Sequence, residues 1–305
     1  MVATDLIPIG LIYVLLGGLL ACPPDSNQPE PAAPVAGTAG APAPMPVAIP
    51  LADYQPIDLA GFPVFVEPDL RADRSWPRVR AALLFDLELV ANRLPPAALE
   101  VVRRTPVLVT LRTPPRPEWA GSSAACCHVS PGWLTANGYD AARAGTVEIL
   151  HADKYLLWRA EQPMMLLHEL AHAYHLRFGY DEPLVLAAYR AAIDAGRYDA
   201  VAHTLRPEGE PRRAYAATNQ QEYFAELTEA YFGRNDYFPF TREDLVRHDP
   251  AGTAAVVALW FGETPPESSD AGTKDAENDE VDDPSKAVEQ AVNTPPAHDT
   301  QPAND

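Results

Sequence analysis

A basic surface is what this sequence most lacks. Lys and Arg total 23 against 42 Asp and Glu, for a formal net charge of −19. Neutralising phosphates needs the opposite balance, so nucleic acid is excluded as a partner. Long hydrophobic runs are missing too. The uncharged stretch from Leu6 to Ala21 is 16 residues, short of the roughly 20 that span a bilayer. Only three cysteines occur, Cys22, Cys126 and Cys127. No internal repeat is found, and Ser122 and Ser123 lie in no nucleophile motif.

What is there divides the chain into four parts. Residues 1–22 read as a signal peptide, because a short apolar run suits its central region. Leu19-Leu20-Ala21-Cys22 resembles the lipobox of bacterial lipoproteins, in which the cysteine is acylated. That resemblance implies a membrane anchor on Cys22 and placement at the cell envelope; a plain signal peptide or an uncleaved anchor is the alternative. Residues 23–50 are rich in Pro and Ala without periodicity and predict an extended tether. Residues 263–305 hold twelve acidic residues against Lys274 and Lys286. With so few apolar side chains, this tail is predicted to be disordered. Residues 51–262 remain for one folded domain, expected to be monomeric.

Within that domain, residues 62–66 read as a strand. Residues 75–94 read as a helix with Val79, Leu83, Leu87 and Val90 on one face, ended by Pro95-Pro96. Residues 105–111 and 146–150 are further strands, with loop between them. Helices are predicted over 163–178, 182–195 and 218–232, the last with Thr218 and Gln221 in capping-box spacing, and a short one over 249–261. Strands early and helices late indicate an α+β fold.

His168 and His172 lie four residues apart on the 163–178 helix. Four residues turn about 400°, which projects both imidazoles from one face at a separation that suits one tetrahedral Zn²⁺. Glu169 can reach an attacking water without binding the metal. A catalytic zinc needs a third protein ligand and an open position. The metzincin extension would place Gly at 175 and His at 178, and the chain has His175 and Phe178. A later helix supplies Glu222, Glu226 and Glu229 instead. Glu222 and Glu226 share a face; one can bind zinc while the other hydrogen-bonds a ligand imidazole.

The string Tyr215-Ala216-Ala217-Thr218-Asn219-Gln220-Gln221-Glu222-Tyr223-Phe224-Ala225-Glu226, some fifty residues after His168-Glu169-Leu170-Ala171-His172, resembles the catalytic domain of anthrax lethal factor and related bacterial gluzincins. Gln162-Pro163 and the string from Asn235 to Phe240 resemble secreted bacterial proteins of the same type. The resemblance implies a zincin-like metallopeptidase domain with a small mixed sheet and an active-site helix. It implies Glu222 as third zinc ligand, Tyr215 with its hydroxyl at the metal site, and Glu226 in support. Glu169 becomes the general base and Tyr215 the donor to a developing oxyanion. The implied partner is a peptide or protein substrate, which in this family pairs with an edge strand; residues 146–150 are the candidate edge.

Other residues fit blander roles. His175 is expected to be hydrogen-bonded or exposed. His128, His151, His203 and His248 are expected to be structural or surface residues. For Cys126 and Cys127 two thiols or a strained vicinal disulfide stay open. The competing function is a catalytically silent zincin-fold binding module at the envelope; a self-processing or toxin-like protease is a third reading.

Overall fold

Phe62, Val64 and Val66 are buried at alternate positions while Pro63 and Phe65 are half-buried. A period of two with β-branched and aromatic residues makes this a strand, β2 (Phe62–Val66). The computed structural model describes residues 50–112, 124–204 and 211–262. The signal peptide, Cys22, nearly all of the tether, Ser122, Ser123 and the acidic tail lie outside the described residues. A strand that the sequence gives no sign of, β1 (Gln55–Leu59), pairs antiparallel with β2. Ala60 and Gly61 join the two with φ of 55° and 81°, the left-handed pair that a two-residue hairpin requires.

From β2 the chain crosses over through α1 (Pro68–Ala72), α2 (Trp76–Arg93) and α3 (Pro96–Val102) to β3 (Val107–Val109), which lies parallel to β2. A parallel connection demands such a crossover. Val79, Leu83, Leu87 and Val90 are all buried on α2, as their spacing predicts. Pro95-Pro96 ends α2 and also begins α3, because proline is tolerated in a first turn.

The expected loop between the second and third predicted strands is not all loop. It contains β4 (Ala125–Cys127) and α4 (Pro131–Ala136). After it, β5 (Val147–Ile149) runs parallel to β3 and antiparallel to β4, giving the order β1-β2-β3-β5-β4. The expectation that residues 146–150 form an edge is therefore corrected: β5 is paired on both sides, and β4 is the outer strand. A three-residue strand of Ala and Cys carries too little periodicity to be seen in sequence.

The second half is helical: α5 (Ala152–Trp158), α6 (Met165–Leu176), α7 (Pro183–Asp194), α8 (Gln220–Phe232), α9 (Arg242–His248) and α10 (Pro250–Phe261). Among the described residues the architecture is α+β with a five-stranded mixed sheet. Every residue from Met165 to His175 is buried, because α6 is covered by the sheet on one side and by α8 on the other. α10 closes over this pair. Trp260 stacks on Tyr174 at 4.2 Å between ring centroids, and its indole N–H donates to Thr228 Oγ1 at 3.0 Å. No described helix is long and apolar enough to cross a membrane.

Candidate metal centre

The two histidines of α6 emerge toward α8, with ring centroids 4.7 Å apart. Asn219 caps α8, its Oδ1 accepting from the backbone N–H groups of Gln221 and Glu222, both at 2.9 Å. Asn219, not Thr218, is thus the cap, since an asparagine oxygen reaches the second and third N–H groups of the helix. The cap fixes the first turn, and with it Glu222. Glu222 Oε2 lies 3.1 Å from His168 Nε2 and 3.2 Å from His172 Nε2. All three side chains are 2% exposed or less, and one ligand atom from each lies within 4.8 Å of the others.

Electrostatics follow from this convergence. Burial alone would raise the Glu222 carboxyl, but the His172 and His168 imidazoles hold it down at about 2. His168 moves the other way: burial disfavours its cation, and Glu222 and Glu229 overcome that to hold it well above the usual imidazole range. His172 Nδ1 has no hydrogen-bond partner and its Nε2 faces only the Glu222 carboxylate at 3.2 Å, poorly aligned for a hydrogen bond, although the residue is buried. Buried polar atoms need partners, and a cation between Nε2 and the Glu222 carboxylate would supply one. Two imidazoles and a carboxylate form a donor set that suits a divalent transition metal.

The other face of His168 is also held. Its Nδ1 lies 2.7 Å from Glu229 Oε1, while Glu226 Oε1 stands 3.9 Å away. The supporting contact that the sequence suggests for Glu226 is therefore made by Glu229. Seven residues turn about 700°, nearly two full turns, so Glu229 returns to the line of Glu222 and the imidazole bridges the gap between them. Position 226 is rotated about 40° off that line. The i, i+7 spacing makes Glu229 a candidate, and the packing of α8 against α6 selects it over Glu226. Glu226 instead accepts from Asn235 Nδ2 at 3.1 Å. Burial, then repulsion from Asp236 and Glu229, raises the Glu226 carboxyl well above its ordinary range. His168, Glu226 and Glu229 also have potential ligand atoms within 4.8 Å; the Glu229–imidazole bond accounts for this second grouping.

Glu169 is buried on α6 beside His168. Tyr215 opens a short 3₁₀ turn before α8, its ring 6.3 Å from that of His168 and inclined by 29°. Hydrogen bonds to the Ala217 carbonyl from Arg213 Nη2 (2.8 Å) and Tyr189 Oη (3.3 Å) fix this turn.

His175 departs from expectation, being neither exposed nor hydrogen-bonded. It is fully buried against Tyr180 and Phe224, at 5.3 and 4.8 Å between centroids. Burial, helped by His172, pushes its pKa down to about 3, so it packs as a neutral ring. His128 is buried at 2.7 Å from Glu148, and His203 at 3.2 Å from Asp236. Cys126 and Cys127 project to opposite faces of β4. Cys127 joins the main core beneath α6, and Cys126 joins a smaller cluster with Leu134, Tyr139 and Leu150. No disulfide joins them.

Comparison with known proteins adds no identity to this geometry: no family model matches the sequence, and neither a curated protein nor a solved structure matches the chain.

Proposed function

We propose that this chain is a zinc-dependent endopeptidase of gluzincin type, with a zincin-like domain. The observation that carries the reading is the convergence of His168 Nε2, His172 Nε2 and Glu222 Oε2 inside a buried helix pair. His168, His172 and Glu222 would hold Zn²⁺. Zinc in such a site acts as a Lewis acid, acidifying water to a pKa of about 7 and polarising a carbonyl.

The remaining steps belong to the chain's own side chains. Glu169 takes the proton of the attacking water on its carboxylate and returns it to the leaving amine, a role worth about 10²–10⁴ in rate. The Tyr215 hydroxyl donates to the oxyanion that develops on the substrate carbonyl. Glu229 accepts from His168 Nδ1, which fixes the tautomer and leaves Nε2 to coordinate. β4, the outer strand of the sheet among the described residues, packs beside α6 and is the candidate edge for pairing with an extended peptide. The apolar run ending at Cys22 supports a lipid-anchored placement at the cell envelope.

Metal analysis and peptide hydrolysis of the purified protein test the reading. About one zinc per chain, turnover of a peptide library that a chelator blocks, and loss of both in Glu222→Ala are expected. Glu169→Gln should keep its zinc and lose turnover. Full activity in Glu169→Gln, or a wild-type protein without zinc, refutes the assignment.

A further inference from the structure

Two sequence strings, Gln162-Pro163 and the run from Asn235 to Phe240, play no part in the chemistry above. The fold nevertheless brings them together behind the metal centre. Asn235 is 2% exposed. Its Oδ1 accepts from the Asp236 backbone N–H at 2.9 Å, its own N–H donates to the Phe240 carbonyl at 3.0 Å, and its Nδ2 donates to Glu226 Oε2 at 3.1 Å. The Asp236 N–H can face only the amide oxygen, so the amide group has one orientation and presents its donor to Glu226. Asp236, also buried, accepts on Oδ2 from Gln162 Nε2 at 3.1 Å, and His203 Nε2 lies 3.2 Å from the same oxygen. The backbone carbonyl of Gln162 in turn accepts the Met165 N–H at 3.1 Å in the turn that starts α6. Residues 235 and 236 therefore bond to α8 and to the turn that leads into α6.

We propose that Asn235 is a positioning residue for the metal centre, acting through Glu226. The inference rests on His168 being a ligand. The His168 Nδ1 has two carboxylates within reach, Glu229 at 2.7 Å and Glu226 at 3.9 Å. Only one can accept its N–H with good geometry. The Asn235 donor draws the Glu226 carboxylate to the far side and leaves Nδ1 to Glu229. Without it Glu226 turns toward Nδ1, competes with Glu229, and pulls the imidazole off the line it shares with His172 and Glu222. A neutral donor suits this place. An amide N–H can bond Glu226 whether or not that carboxyl holds its proton, whereas an aspartate would set another carboxylate against it.

The test measures Zn²⁺ affinity by competition with a chromophoric chelator, and the visible absorption bands of the Co²⁺-substituted full-length protein, for wild type, Asn235→Ala, Glu226→Gln and the double variant. Asn235→Ala is expected to weaken Zn²⁺ binding about tenfold, the low end for partners behind a ligating imidazole, and to shift the Co²⁺ bands. The double variant should bind no more weakly than Glu226→Gln alone, because Asn235 acts through that carboxylate. Affinity within about twofold of wild type with unchanged Co²⁺ bands overturns the proposal, even with a lower melting temperature, and so do additive losses in the double variant. If Asn235→Ala does not fold, Asn235→Asp keeps the side chain's size and its acceptor for the Asp236 N–H and removes the donor to Glu226. It should shift the Co²⁺ bands in the same direction, and unchanged bands overturn the proposal. A wild-type chain that binds no Zn²⁺ overturns both this inference and the peptidase reading, whereas normal wild-type binding with a silent Asn235→Ala overturns this one alone.

Discussion

Replacing Glu148 by glutamine probes the charged group buried behind the sheet. Glu148 is 1% exposed. Its Oε2 accepts from Arg143 Nη1 at 2.5 Å and lies 2.7 Å from His128 Nε2, and its Oε1 accepts from Thr110 Oγ1 at 2.5 Å. Tyr54 closes the group, its hydroxyl 2.8 Å from Thr110 Oγ1 and accepting from Arg143 Nη2 at 3.2 Å. Burial opposes ionisation of Glu148, yet the His128 hydrogen bond and the Arg143 charge hold its pKa at about 2 against an ordinary 4.5. A folded-state pKa below the unfolded one contributes stability that is fully present above pH 4.5 and is lost as the pH falls toward 2. A gap of about 2.5 pH units corresponds to roughly 3 kcal/mol, a large part of a typical 5–15 kcal/mol. At pH 7, Glu148→Gln leaves Arg143 buried beside a neutral partner, and breaking such a pair costs about 3–5 kcal/mol. Urea unfolding of both proteins at pH values from 7 down to 3 gives the difference directly. Other acidic groups titrate in both chains and cancel. The stability gap should be widest above pH 5 and narrow progressively below it. A gap that stays constant across this range refutes the reasoning.

Three further outcomes are expected. Tyr215→Phe should lower kcat by about 10²-fold with little change in KM, the signature of a contact made in the transition state; steady-state kinetics with an unchanged kcat would remove Tyr215 from the site. Glu229→Gln should weaken Zn²⁺ binding about 10- to 100-fold by removing the charged acceptor of His168 Nδ1, and competition titration showing wild-type affinity would contradict this. Gly252→Ala would place a methyl group 2.4 Å from both Leu227 Cδ2 and Tyr223 Oη, and 2.9 Å from Asp249 Oδ2. Overpacking there should cost about 1–3 kcal/mol, outweighing the better helix propensity of alanine. A thermal melt with an equal or higher midpoint speaks against the close contact.

The sequence made the helices legible where one face had to be buried. Val79, Leu83, Leu87 and Val90 recur at helical spacing and all lie inside. The same spacing set His168 and His172 on one face, and Glu222 does meet them. What stayed hidden depended on tertiary context. β1 buries only Leu59, so no alternation marks it. β4 is too short to show a period, and its pairing with β5 is what makes β4 rather than β5 the outer strand. The choice between Glu226 and Glu229 turned on how far α8 is rotated against α6, which no spacing along one helix can reveal. His175 has no local reason to be buried; Phe224, from the neighbouring helix, buries it.

Consecutive residues in a strand face opposite ways, so the two sulfurs of β4 report on separate interiors although one peptide bond separates them. An alkylating reagent reaches Cys127 when the helical layer lifts from the sheet, and Cys126 when the Tyr139 side opens. In a chain that also carries Cys22→Ala, labelling rates of Cys126→Ala and Cys127→Ala would therefore time the breathing of each layer independently.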